Sequence, residues 1–379
     1  MITRRPNSMV RNHDMSAAWR HVDVVLCALV GATVVFGAAM VYSATAHHSK
    51  LSGFFEKHVL FVLIGFGVMA TVAAVDYVKL RDWARLVFVG AVLGLVAVIT
   101  PLGSVHKGTR AWFDIGPIQI QPVEFAKVAV IVAVASYLGT VPDRLGPKHL
   151  AVALAMFAVP MGLVMAEPDL GSNLVILVIA VGMLVVAGFP ARYLVALTLI
   201  GVVGVVGILS SDSLDKYQKA RLTTFVNPDQ QTPEAKTAAY NTKQAQIAIS
   251  SGGLSGQGYL EGQQTKGGFV PEQQTDFIFT VAGEELGFLG SATLVLLLGG
   301  IVWRVWRTAV LARDKVGSFI CIGVLCMFVF HIFENVGMNL GIMPVTGIPL
   351  PFVSYGGSAT ISSFAAMGLV LNVHMRRFS

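Results

Sequence analysis

Residues 316–337 read VGSFICIGVLCMFVFHIFENVG. From Val316 to Phe333 no Asp, Glu, Lys or Arg interrupts the run. About 20 helical residues at 1.5 Å rise cross roughly 30 Å of hydrocarbon. A run this long without a charge reads as a membrane span, and its last turns place His331, Glu334 and Asn335 where oil is expected. Working outward, the same pattern recurs at 22–44, 58–75, 83–101, 122–140, 149–166, 170–189, 192–210, 277–302 and 357–374, with 316–337 the ninth in order. Composition agrees. Of 379 residues, 55% are hydrophobic and 13% charged, about half the usual charged share, and the mean hydropathy is +0.70. The expected fold is all-α: a polytopic membrane protein with about ten transmembrane helices.

The net charge of +6 would raise nucleic acid as a partner in a soluble domain; here the placement of the basic residues matters more. With the N-terminus in the cytoplasm, the inner segments hold Arg4, Arg5, Arg11, Arg20, Lys79, Arg81, Arg85, Arg144, Lys148, Arg192, Arg304, Arg307, Arg313, Lys315, Arg376 and Arg377, whereas the short outer loops hold only Lys50, Lys57, Lys107 and Arg110. Cytoplasmic loops carry such an excess, so both termini are expected inside. Arg4, Arg5 and Arg11 before the first run, and Ala44-Thr45-Ala46 after it, imitate a signal peptide. The apolar stretch exceeds the usual ~7–15 residues, so it is read as a retained helix. Cys27, Cys321 and Cys326 lie in apolar runs and read as buried thiols. The chain has no Walker A motif and no H-E-x-x-H, which argues against a nucleotide as energy source.

The chain is expected to form one membrane domain over 1–379, with a cytoplasmic tail at 1–21 and one large extracytoplasmic loop at 211–276. In that loop, residues 240–251 read as a short amphipathic helix, with a strand as the competing reading. Seven glycines then fall between 252 and 268, a backbone suited to tight turns and close approach.

Ionisable groups in or beside a span are costly, up to about 3.5 kcal/mol at the centre on insertion scales, and raise a functional question each time. Glu124 and Lys127 follow Pro122 at the start of the fourth run; i,i+3 spacing lets them pair. A structural ion pair and part of a substrate site are both open readings. Asp169 is placed to cap the sixth run. Glu284 and Glu285 fall two turns into the eighth, and His331 reads as a satisfied interior histidine. With the topology above, Arg110, Trp112, Glu124, Lys127, Asp169, Asp276, Glu284, Glu334 and Asn335 lie toward the outer face. The inner loops read as solvating Arg and Lys. This one-sidedness argues for one site opening outward and against a transport path, which needs polar groups at the midplane and on both sides.

Two segments look like chemistry. In Phe269-Val270-Pro271-Glu272-Gln273-Gln274-Thr275-Asp276-Phe277, Asp276 stands where the polar loop meets the eighth run. Half-desolvation there should raise its pKa, as suits a general base; an N-cap is the structural alternative. In Gly341 to Ser358, Pro344, Pro349 and Pro351 stop any helix before Ser354-Tyr355-Gly356-Gly357-Ser358 opens the tenth run. Glycines and hydroxyls at a helix N-terminus offer N–H groups to an anion such as a phosphate; a plain glycine-rich start is the alternative.

Taken together these motifs resemble the SEDS family (shape, elongation, division and sporulation). The resemblance rests on the Asp276 segment with Ala282-Gly283-Glu284-Glu285-Leu286-Gly287, on Pro344 to Pro351 running into Ser358, and on Gly108 to Trp112, Gln121 to Lys127, Glu167 to Gly171 and Ser250 to Gly258. It covers nearly the whole chain in order, and Pro349 points to the elongation branch over the division branch. Gln274 stands where a His is common and Val123 where a Ser is common.

The resemblance implies a peptidoglycan glycosyltransferase that polymerises lipid II on the outer face of the bacterial cytoplasmic membrane during elongation. It implies Asp276 as the essential acid, Glu124 and Lys127 as the paired charges, and a class B penicillin-binding protein, a transpeptidase, as partner. Lipid II and a polyprenyl-linked glycan are the expected substrates, with membrane lipids around them and no nucleic acid. The leaving pyrophosphate needs positive charge, for which Arg110, Lys127, Arg221, Lys266 or a divalent cation (Mg or Mn) are candidates. Glu124, Asp169, Glu334, Asn335, Trp112, Ser354, Gly356, Gly357 and Ser358 complete the expected substrate site. The competing functions are a lipid II flippase or other lipid transporter, and a non-catalytic scaffold for the transpeptidase.

Overall fold

A computed structural model describes residues 20–106, 109–116, 118–141, 146–167, 169–193, 195 and 233–378. Among the described residues nine apolar helices form a bundle: α1 (Val24–Ala46), α2 (Phe54–Ala74), α3 (Tyr77–Ile99), α4 (Pro122–Thr140), α5 (Pro147–Ala166), α6 (Leu170–Val186), then α10 (Gly287–Val310), α11 (Lys315–Leu340) and α12 (Gly357–Met375). Eight are long and apolar enough to cross a membrane, and α6 is shorter at 17 residues. Most of the expected run at 192–210 lies outside the described residues, as do Arg221 and most of the expected N-terminal tail. Between α6 and α10 the chain forms α7 (Pro233–Ser251), α8 (Gln263–Gly267) and α9 (Ile278–Glu285). The helix expected at 240–251 is thus present and begins earlier, and the strand reading is set aside.

Helices α4, α11 and α12 are the most buried; α3 is the most exposed, presenting Leu86, Val89 and Leu93 outward. Small residues set the centre. Ala126, Ala129, Ala133 and Ala135 line α4. A side chain at Gly65 would strike the Phe364 ring, and one at Gly368 would meet the Met69 carbonyl at 2.7 Å. Small residues let membrane helices approach where no hydrophobic drive between them exists. Apolar Val24–Ala46 packs as a full helix against α2 and α10.

Three features depart from the sequence expectation. The fold is mostly helical, but a small antiparallel sheet stands between α3 and α4: β1 (Ser104–His106), β2 (Thr109–Ile115) and β3 (Ile118–Ile120), in order β1-β2-β3. Its strands are short and β2 lacks clean apolar–polar alternation, so no period-two signal marks it. Second, the expected eighth run is not one helix. It breaks between α9 and α10 at Gly287, whose φ of +65° favours glycine and whose Cα faces the Gly256 backbone. Glu284 and Glu285 therefore end a short helix ahead of the span and are not buried two turns inside one.

Third, buried charge is not confined to one end. Asp23 caps α1 by accepting from the Leu26 amide at 3.0 Å and also accepts from Arg304 Nε at 3.0 Å, with His374 Nδ1 3.6 Å away. Arg304 was expected to be solvated; it is 9% exposed and ties α10 to α1. Arg376 likewise donates to the carbonyls of Ala73 and Ala74 at the end of α2. These groups are paired with one another and with helix ends, as buried charge requires, so they serve packing. Polarity on one side alone therefore does not separate this bundle from a transport path.

Candidate functional site

The site is built at the end of the bundle where α4, α10 and α12 begin and α11 ends. The glycine loop after α7 makes its floor. Amides of Gln257 and Gly258 donate to the carbonyls of Glu284 and Glu285 (3.0 Å each), and those of Phe288 and Leu289 donate back to Gly253 and Leu254 (2.9 and 3.1 Å). A Cβ at Gly252 or Gly256 would collide with the carbonyls of Gly283 or Glu285. The close approach read from these glycines is what the structure uses. Glu284 accepts from the amides of Gln264 and Thr265 at 2.6 and 3.0 Å and so caps α8. Glu285 accepts from Ser43 of α1.

Asp276 sits half-buried at the end of the turn 271–277. Its carbonyl accepts from Asn335 Nδ2 at 2.9 Å and Asn339 Nδ2 at 3.2 Å. Gln273 Nε2 donates to the hydroxyls of Thr265 and Thr280 (3.0 and 3.1 Å), and the Gln274 carbonyl accepts from the Tyr355 amide at 2.9 Å. Gln274 therefore contributes its main chain. The same Asn335 Nδ2 donates to the Ile348 carbonyl at 2.8 Å, joining the Asp276 turn to the proline-rich segment. Inside that segment Ser354 Oγ accepts from the Leu350 amide at 2.9 Å. Phe352 holds φ +65°, with Phe328 stacked at 5.6 Å and Phe364 edge-on at 5.2 Å.

One turn deeper on α11, about 6 Å along the axis, His331 Nε2 lies 3.4 Å from Lys127 Nζ. Lys127 donates to Glu124 Oε1 at 2.7 Å, and Ser362 donates to Glu124 Oε2 at 3.2 Å. The predicted i,i+3 pair thus forms, only 1% and 4% exposed, and it joins α4, α11 and α12. A small cavity beside it is lined by His331, Pro349, Phe352, Ser354, Thr360 and Ser363.

The other expected residues are placed as follows. Asp169 caps α6, accepting from the Ser172 amide at 2.9 Å and its hydroxyl at 2.7 Å, with Gln121 Nε2 at 3.5 Å. Ser358 Oγ accepts from the Gln121 amide at 2.9 Å, tying the start of α12 to the start of α4. Gly356 is the residue before α12, and Gly357 packs against the Phe61 ring. Glu334 accepts from Thr346 Oγ1 at 2.8 Å. Arg110 donates to the Thr100 carbonyl at the end of α3 (3.0 Å), where a cation suits the helix dipole. Trp112 stands edge-on to His106 at 5.8 Å. Lys266 pairs with exposed Glu261, whose carboxyl it holds below its usual range. Asp276, Glu334, Asn335, Glu124 and Lys127 thus gather around α11, while Arg110 and Lys266 are engaged at the rim. Gln273, Asn339 and Ser362 were missed. For Asn339 the signal was legible: His331, Asn335 and Asn339 share one helical face at i, i+4, i+8.

Glu167 joins α5 to α6 and is buried, and neither carboxylate oxygen has a hydrogen-bond partner among the described residues. Burial, with the Asp169 charge second, pushes its carboxyl up to about 8. The native state then holds a proton that the unfolded chain has lost. This term lowers stability as pH rises from about 4.5 to about 8. Thermal unfolding in detergent between pH 5 and 8 should show this fall, and Glu167→Gln should flatten it.

Eight membrane-length helices around a buried ion pair, with an acid at the rim, define an integral membrane protein rather than a soluble one. The family profile described as "Cell cycle protein", FtsW/RodA/SpoVE, matches residues 19–378, and the chain belongs to this family. It is 32% identical to the peptidoglycan glycosyltransferase MrdB of Escherichia coli (strain K12), over 97% of this chain and 98% of that one. It is 36% identical to stage V sporulation protein E of Bacillus subtilis (strain 168), over 93% and 96%. A solved structure described as structural coordination of polymerization and crosslinking by a peptidoglycan synthase complex superposes with TM-score 0.81 at 29% identity, covering 95% of this chain and 100% of that one. The crystal structure of Thermus thermophilus rod shape determining protein RodA gives 0.71 at 28%, covering 95% and 99%.

Proposed function

We propose that this protein is a peptidoglycan glycosyltransferase of the elongation type, polymerising lipid II at the outer face of the cytoplasmic membrane. The observation that carries the reading is the Asp276 turn, held by main-chain contacts from two sides in a chain that matches MrdB end to end. The basic segments of the sequence set the orientation, with the Asp276 end outside.

Asp276 acts as general base. It takes the proton of the acceptor sugar's 4-hydroxyl as that oxygen attacks the anomeric carbon of the donor glycan. The bond to pyrophosphate breaks with inversion, and the polyprenyl diphosphate leaves with the electron pair. Positioned bases of this kind contribute about 10²–10⁴-fold. Glu124 and Lys127 brace the wall of the site, and the lipid tails lie along grooves between helices. Among the described residues no three His, Cys, Asp or Glu converge as a metal cage. Mg or Mn would supply positive charge to the leaving pyrophosphate, and no step is assigned to a protein-held ion. By likeness to the synthase complex, a class B penicillin-binding protein is the partner that crosslinks the product. The purified protein in detergent, given lipid II, should build glycan strands visible on a gel. Failure with the partner present would remove the reading, and a parallel arm with chelator reports the cation requirement.

A further inference from the structure

We propose that Asn339, acting with Asn335, is a positioning residue that fixes Asp276 through its main chain. The inference rests on the general-base reading above. Both asparagines are fully buried on one face of α11, so neither touches substrate directly. Each aims its amide nitrogen at the same carbonyl, that of Asp276. A carbonyl oxygen has two lone pairs, and here both donors come from one rigid helix. Asn339 also donates to the Asn335 carbonyl at 2.7 Å, which orders the pair. The placement of the acid is thus set by α11, whose preceding turn carries His331 against Lys127. Asn335, expected from the sequence as a substrate contact, donates its amide to the Asp276 and Ile348 carbonyls.

Asn339 is poorly explained as a stabilising residue. Among the described residues its Oδ1 is buried with no hydrogen-bond partner. A buried polar atom left unsatisfied costs about 1–3 kcal/mol; Asn339→Leu removes that atom, and the Asp276 carbonyl keeps Asn335 as a donor. A misplacement near 1 Å at a reacting group, by contrast, can cost about 100-fold in rate. The asparagine fits a part retained for geometry.

The test uses the full-length protein with its transpeptidase partner. Asn339→Leu should keep the folded yield and melting temperature of wild type, while kcat for lipid II polymerisation falls tenfold or more and KM stays within twofold. A residue that only packs would not produce that split. If Asn339→Leu fails to fold, Asn339→Asp carries the same test, since it keeps size and polarity but turns an oxygen toward the Asp276 carbonyl. Wild-type kcat in a folded variant overturns the proposal. Asp276→Asn is run alongside. If Asp276→Asn polymerises normally, the general-base reading fails and the clamp has nothing to position. If Asp276→Asn is inactive while the Asn339 variants keep full kcat, the clamp alone fails.

Discussion

Asp276→Ala is expected to abolish lipid II polymerisation, with a loss of at least about 100-fold in a purified assay. The contacts described for this turn make the variant informative. Asn335, Asn339 and the amide of residue 276 itself all engage main-chain atoms, which the substitution leaves in place. The protein should therefore fold and run as a monodisperse species with a melting temperature close to wild type, and the loss is one of chemistry. Asp276→Asn should be equally inactive, because an amide cannot take the proton. The competing functions predict otherwise. A flippase or a scaffold has no use for a base at the rim, and normal polymer from either variant would favour them.

The second large effect is expected at the buried pair. Lys127→Met leaves Glu124 inside the bundle with Ser362 as its remaining side-chain donor among the described residues. Removing one partner of a buried ion pair typically costs about 3–5 kcal/mol, whereas replacing both by apolar residues is often neutral. The single variant should lose most of its folded yield, and the double variant Glu124→Leu, Lys127→Met should recover it, as read by size-exclusion profile and thermal unfolding. Polymerase activity of the recovered double variant then separates two roles. Return of activity marks the pair as packing between α4, α11 and α12. A folded but inactive protein adds a substrate contact.

Much of this was legible in the sequence because oil and charge follow simple periodicities. The 316–337 run became Lys315–Leu340, and the Glu124–Lys127 spacing became a 2.7 Å contact. Asp169 caps α6 as its place before Leu170-Gly171-Ser172 implied. What stayed hidden was long-range or depended on side-chain direction. Arg304 reads as one more inner arginine until α1 brings Asp23 across 281 residues. Arg110 reads as a substrate cation; its contact with the Thr100 carbonyl has no local signature. The break at Gly287 lies just after Glu284 and Glu285 in a run read as one span; the glycine loop pressed against it shows why no single helix continues there. Asn335 was noticed for its polarity, but its use of main-chain carbonyls from two distant loops has no local signature.

Asp276 can act as base only if its turn faces the side where lipid-linked sugars are joined. Its most direct test is accessibility of Pro271, which is exposed in that turn. A Pro271→Cys variant in a background with Cys27, Cys321 and Cys326 replaced is treated, in intact spheroplasts, with a membrane-impermeant maleimide. Labelling from outside is the predicted result. Labelling only after the membrane is opened would place the turn in the cytoplasm and contradict the account.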